Sequence, residues 1–257
     1  MTTPVNLEVR PGPAEVAEEA ADRIVTAATR AIEGSGRFTI ALAGGSTPRA
    51  LYALLASPAY HDRIDWSRVH VAFGDERCVP PDDPASNYRM ARQALLDDVP
   101  IPAAHVHRFR GEDAPEVAAA ACEQDLRTLL ATPDGPPRDV AGARFDLVLL
   151  GMGNDGHTAS LFPHRPTVRE AGRWAVADFV PAVSMWRLTL TPIVFNAAFE
   201  VLFLAAGKDK AATLARVLEG PRDPDALPAQ AIAPHDGRLS WLVDVAAAAE
   251  LVRRRRA

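Results

Sequence analysis

The stretch FDLVLLGMGNDGHTASLFP, Phe145 to Pro163, decides how this chain reads. It opens with a short, continuous apolar run, Leu147 to Leu150, flanked by Asp146 and Gly151. Such a run fits a central strand of a parallel sheet, buried on both faces. The strand gives way to a loop with glycines at Gly151, Gly153 and Gly156. Past His157, Thr158 to Phe162 are expected to form a short helical turn that Pro163 ends. In open α/β sheets ligands bind in the crevice beyond the strand C-termini. Asn154, Asp155 and His157 therefore stand where a small molecule would sit. Glycines alone account for a tight turn, but not for three polar side chains at its tip.

The three glycines also satisfy the spacing G-x-G-x-x-G of a dinucleotide fingerprint. That fingerprint belongs in the first strand-to-helix turn of a βαβ unit, whereas this loop lies past the midpoint of the chain. Its third glycine abuts His157 instead of opening a long helix. The spacing is not evidence for a cofactor here.

Upstream, Pro13 to Ile32 places Val16, Ala20, Ile24 and Ala27 at helical spacing. Gly34-Ser-Gly36 stops that helix, and Phe38 to Ala43 reads as a strand. It leads into Gly44-Gly45-Ser46-Thr47-Pro48 and a helix through Leu55. A helix start after two glycines offers unpaired N–H donors and a positive dipole end, an anion site to which Ser46 and Thr47 add hydroxyls. A plain N-cap by either hydroxyl is the simpler alternative. A serine-hydrolase elbow is excluded because Pro48 stands where its second glycine is required. Val69 to Phe73 is the next strand, running into Gly74-Asp75-Glu76-Arg77; in extended backbone Asp75 and Arg77 share a side. A polar loop (Asp82 to Asn87), a helix (Tyr88 to Leu96), a strand (Val106 to Phe109) and a helix (Ala114 to Leu130) follow. Thr132 to Gly142, rich in proline and glycine, reads as a surface connection.

Downstream, Trp174 to Val180 and Met185 to Thr191 are strand-like, with Arg187 on the more polar face of the second. A helix from Pro192 to Ala198 and a strand from Val201 to Ala206 lead to Gly207-Lys208, then a helix from Ala211 to Leu218. A strand from Leu239 to Val243 and a helix from Val245 to Val252 close the pattern. Alternating strands and helices define an α/β fold: a Rossmann-like, mostly parallel sheet with helices on both faces, residues 1–257 forming one domain.

Composition fits this. The 257 residues are 48% hydrophobic and 24% charged, as in ordinary globular proteins. No apolar run has transmembrane length, and MTTPVNLEVRPG lacks the pattern of a signal peptide. Two cysteines, Cys78 and Cys122, supply no disulfide framework, so a cytoplasmic enzyme is the expectation. The net charge of −5 gives no reason to expect nucleic acid, and the Arg253 to Arg256 run reads as a solvated tail. There is neither zinc-ligand spacing nor a Walker sequence. An anion-binding turn, three cations at Arg77, Arg187 and Lys208, and a loop histidine beside Asp155 suit acid–base chemistry on a small phosphorylated substrate.

Five blocks carry a resemblance: ALAGGSTPRALY (41–52), FGDERCVPPDDPASNYRMAR (73–92), LLGMGNDGHTASLFP (149–163), RLTLTPIVFNAA (187–198) and AAGKDKA (205–211). Together they resemble the 6-phosphogluconolactonases of the pentose phosphate pathway, within a wider group of glucosamine-6-phosphate isomerase/deaminases and sugar-phosphate-sensing domains. The resemblance implies hydrolysis of 6-phospho-D-glucono-1,5-lactone without metal or organic cofactor. The partner is then a small phosphosugar lactone, with no nucleic acid or membrane, and the chain acts as a monomer, a homodimer being the alternative. His157 would activate water, oriented by Asp155 or Asp75. The oxyanion would be met by Arg77 or by loop N–H groups around Gly153 to Asp155. Ser46, Thr47, Lys208 and Arg187 would hold the phosphate, with Gly44, Gly45 and Asn154 completing the substrate site. Two other activities fit the wider group. An isomerase/deaminase would need an additional acid shortly after the histidine, where Leu161, Phe162 and Pro163 stand. A sensing domain usually follows a helix-turn-helix, and the residues before the first strand offer one long helix only.

Overall fold

The computed structural model describes residues 6–131 and 144–252. The connection expected at Thr132 to Gly142 and the Arg253 to Arg256 run lie outside the described residues. Strand β1 (Asn6–Arg10) comes first, then helix α1 (Pro13–Ser35), β2 (Phe38–Leu42) and α2 (Ser46–Leu55). Next are β3 (Val69–Phe73), β4 (Asp75–Arg77), α3 (Asn87–Ala91), β5 (Val106–His107) and α4 (Pro115–Leu129). The chain continues with β6 (Leu147–Leu150), β7 (Ala175–Val180), β8 (Met185–Leu190), α5 (Pro192–Ala197), β9 (Glu200–Ala205), α6 (Ala211–Glu219) and β10 (Arg238–Asp244).

Seven strands form a parallel sheet in the order β1-β10-β9-β6-β2-β3-β5. All residues of β2, β6 and β9 are buried, which is why these runs are apolar without alternation. Helix α1 has Pro13 at its start and ends on Gly36 (φ 81°), whose N–H donates to Ile32 O. Its buried face holds Val16, Ala20, Ile24 and Ala27, the positions its periodicity marked. From β2 the chain proceeds outward to β3 and β5; from β6 it proceeds the other way, to β9 and β10. The order therefore reverses between β2 and β6. Two loops diverging from adjacent strand ends leave a crevice there, the expected place for a ligand.

Several local expectations give way. Strand β1 precedes α1 and pairs with β10, so the segment before β2 is more than one helix. A second, antiparallel sheet, β4-β8-β7, draws Asp75 to Arg77 into regular pairing against Arg187 to Thr189. Beyond Ala91 the helix widens into a π-helical stretch, Arg92–Leu96. Strand β5 is only two residues long. Thr158 to Phe162 is not helical: Thr158 bridges to Leu161, and Ala159 (φ 47°) and His164 (φ 61°) are left-handed. Residues 245–250 form turns instead of a helix, and Asp244 accepts from Ala247 N and Gly207 N where β10 ends. Among the described residues no helix is long and apolar enough to cross a membrane.

Candidate active site

The crevice holds a cavity of about 270 Å³. The turn after β2 forms one wall. Tyr52, fully buried in α2, donates from its hydroxyl to Ala43 O (2.8 Å) and accepts from Ala43 N (3.0 Å), fixing the chain just before Gly44. Gly45 takes φ 108°, open to glycine at little cost. Helix α2 begins directly afterwards, so Ser46 and Thr47 occupy its first turn, and neither serves as a side-chain N-cap. Gly44, Gly45, Ser46 and Thr47 all line the cavity.

The turn after β6 forms the opposite wall. Gly153 N donates to His157 O (2.8 Å), and Thr158 Oγ1 donates to Gly151 O (2.8 Å), closing a compact loop. A side chain at Gly153 would collide with the His157 ring, so this glycine makes room for the histidine. The imidazole Nδ1 lies 2.6 Å from Asp155 Oδ1, which also accepts from His157 N (3.1 Å). Burial pushes the Asp155 carboxyl up, but the hydrogen bond and charge of His157 outweigh this and hold it below its ordinary value. A carboxylate only accepts, so the proton is assigned to Nδ1 and the Nε2 lone pair remains available. The other ring face stacks on Phe162, centroids 4.4 Å apart.

The third wall comes from β4. Asp75 is buried, accepting from Ser160 Oγ (2.7 Å) and Asn87 Nδ2 (3.2 Å). The acid hydrogen-bonded to His157 is thus Asp155, not Asp75. Arg77 Nη1 donates to Asn87 Oδ1 (2.8 Å) and Ala85 O (2.6 Å), while its Nε is buried without a partner among the described residues. Beneath them, the buried carboxylate of Glu76 accepts from Arg77 N, Asn87 N, Tyr88 N and Ser86 Oγ, tying β4 to the start of α3. Burial nevertheless raises its pKa, against those four bonds. Asn87 joins Asp75 to Arg77 and lies hard against Gly44, yet composition and pattern single it out only as the end of a polar loop.

Two cations are rearranged relative to expectation. After β9, Gly207 (φ 102°) leads into a 3-10 turn, Lys208–Lys210. With three residues per turn, side chains two apart point in different directions. Lys208 is exposed, and it is Lys210 that lines the cavity. Asn154 is not on the cavity wall; its Oδ1 accepts from Lys210 Nζ (2.6 Å), and its backbone oxygen accepts from Thr213 Oγ1 (2.6 Å). Arg187 stands behind the wall, paired in register with Arg77. Burial and the neighbouring Arg77 charge pull its pKa below the usual arginine value, and its Nε lacks a partner among the described residues.

An open parallel sheet with a cationic crevice and a carboxylate-anchored histidine defines a class of phosphosugar-handling α/β proteins. The chain belongs to the family described as glucosamine-6-phosphate isomerases/6-phosphogluconolactonase, whose profile matches residues 11–241. It is 42% identical over 249 residues to a 6-phosphogluconolactonase of Nostoc sp., covering 95% of this chain and 98% of that one. It is likewise 42% identical over 244 residues to a 6-phosphogluconolactonase of Streptomyces coelicolor, covering 93% and 91%. Among solved structures, 6-phosphogluconolactonase from Trypanosoma cruzi superimposes with a TM-score of 0.84 at 32% identity, covering 98% of each chain.

Proposed function

We propose that this chain, working as one domain in the cytoplasm, hydrolyses 6-phospho-D-glucono-1,5-lactone to 6-phosphogluconate in the oxidative pentose phosphate pathway. The observation that carries the mechanism is His157 on the cavity wall, with Nδ1 engaged by Asp155 and Nε2 without a hydrogen-bond partner among the described residues.

Nε2 takes a proton from a water molecule as the water oxygen attacks the lactone carbonyl carbon. The tetrahedral intermediate then collapses with cleavage of the bond from that carbon to the ring oxygen. The imidazolium returns its proton to the departing oxygen, leaving a hydroxyl and a carboxylic acid that ionises. Asp155 holds the Nδ1–H tautomer and offsets the transient imidazolium charge. Arg77, which lines the cavity, is the cation that meets the developing oxyanion. Gly153 N, already donating to His157 O, is not available for that task.

The phosphate sits against the first turn of α2, where Gly44, Gly45, Ser46 and Thr47 present N–H groups and hydroxyls. Lys210, steadied by Asn154, supplies the opposing charge. Arg187, which no carboxylate pairs within the described residues, adds positive potential behind Arg77. Anchoring the remote phosphate orients the lactone for attack.

The test compares freshly generated 6-phosphogluconolactone with unphosphorylated gluconolactone, after subtraction of spontaneous hydrolysis. Fast turnover of the phosphorylated lactone alone is expected, and His157→Ala should lower kcat by about a hundredfold or more. No acceleration over background defeats the lactonase reading. A folded His157→Ala protein with wild-type turnover removes the histidine from the mechanism.

A further inference from the structure

The Phe162 side chain lies outside the cavity wall, is 6% exposed, and stacks on the His157 ring at a centroid distance of 4.4 Å with an interplanar angle of 25°. Resting on the lactonase reading above, we propose that Phe162 is a positioning residue for His157, holding the imidazole in the plane that presents Nε2 to the attacking water.

Two constraints are needed to fix an imidazole on a loop. The Asp155 bond to Nδ1 leaves the ring free to rock about the line joining the two groups. A flat aromatic surface against one face removes that freedom. The loop itself supplies little else: His157 N and O are the anchored atoms, through Asp155 Oδ1 and Gly153 N, and Gly153 offers no side chain against the ring. Phe162 is held in turn by the bridge between Thr158 and Leu161 and by the left-handed turns at Ala159 and His164 on either side of it. Stacking also suits the charge change of the reaction. An aromatic face attracts a cation, so the ring that orients neutral His157 also accommodates the imidazolium formed when Nε2 takes a proton. The charged groups around this pair are Asp155 on Nδ1, Arg187 at 6.0 Å from the Phe162 centroid, and Asp75, Arg77 and Lys210 on the shared cavity wall.

The experiment uses the whole chain and the variants Phe162→Leu and Phe162→Tyr. Leucine fills most of the volume without a flat face, and tyrosine restores the face. Phe162→Leu should lower kcat about tenfold with KM within about twofold, since phosphate contacts are untouched. Phe162→Tyr should recover most of the lost kcat. A readout independent of turnover is the His157 Cε1 proton in NMR spectra, whose ring-current displacement should disappear in Phe162→Leu and persist in Phe162→Tyr. An active wild type with unchanged kcat in folded Phe162→Leu overturns the proposal alone, as does a tyrosine variant no better than the leucine one. An inactive wild type overturns the functional reading beneath it.

Discussion

Replacing Lys210 and Lys208 one at a time separates two side chains that the sequence AAGKDKA presents almost interchangeably. Lys210 lines the cavity with its Nζ held 2.6 Å from Asn154 Oδ1; Lys208 is exposed on the other side of the 3-10 turn. A charge-assisted hydrogen bond contributes about 1.5–3 kcal/mol, and each 1.4 kcal/mol is about a factor of ten in an equilibrium constant. Lys210→Ala should therefore raise KM for the phosphorylated lactone by roughly ten- to a hundredfold. The residual Asn154 carbonyl reaches solvent and needs no compensation. Because the phosphate is remote from the reacting carbon, its contact is made equally in ground and transition states, and kcat should change far less than KM. Lys208→Ala, a surface substitution, should leave both constants within about twofold. Initial rates over a concentration series, corrected for spontaneous opening, read both constants. A Lys208→Ala protein whose KM rises as much as that of Lys210→Ala would refute the assignment, as would an unchanged KM in Lys210→Ala.

Gly44→Ala would drive its new methyl into the Asn87 side chain, which is 2% exposed and tied to both Asp75 and Arg77. Overpacking of this kind costs about 1–3 kcal/mol; urea unfolding should show that loss and kcat/KM should fall, whereas wild-type values for both would show that the wall can yield. Far from the cavity, His70 stacks on His105 and lies 3.2 Å from His107 Nε2, and burial, then these two rings and Arg37, lower its pKa from 6.5 to about 4. Above pH 6.5 both states are neutral at this site. As pH falls from 6.5 towards 4 the unfolded chain takes the proton first, so stability declines across that window. Allowing for partial exposure, the loss should be on the order of 1 kcal/mol. Urea titrations at pH 7 and pH 4.5 should show a smaller decline in His70→Gln, and equal declines would contradict this account.

The parallel core was legible because β2, β6 and β9 are buried on both faces and so carry largely apolar runs without polar alternation. The turns after β2 and β6 were legible for a related reason: glycines gather where backbone must approach a ligand or a ring, as Gly153 does beneath His157. Strand β1 was not, since NLEVR is a partly exposed edge strand whose strand partner, β10, lies at the far end of the chain. The antiparallel pairing of Asp75 to Arg77 was not legible either, because its partner, β8, lies more than a hundred residues away by number (75 against 189). The exposure of Lys208 and the placing of Lys210 on the cavity wall turn on a rotation. Sequence marks a basic residue at a strand end, but the pitch of the following turn decides which one faces inward. Asn87 and Phe162 act through contacts across the crevice and across the loop, which neither periodicity nor local composition encodes.

The pairing of β1 with β10 sets Asn6 against Ser240, and this bears on how the protein is made. During synthesis β2, β6 and β9, the strands that carry the cavity, are complete before β10 emerges. Until it does, β9 has an open edge and β1 has no partner among the described strands, a state prone to edge-to-edge association. Contacts this distant along the chain also form slowly. The residues that line the cavity are thus all synthesised before the strand that covers the open edge of β9.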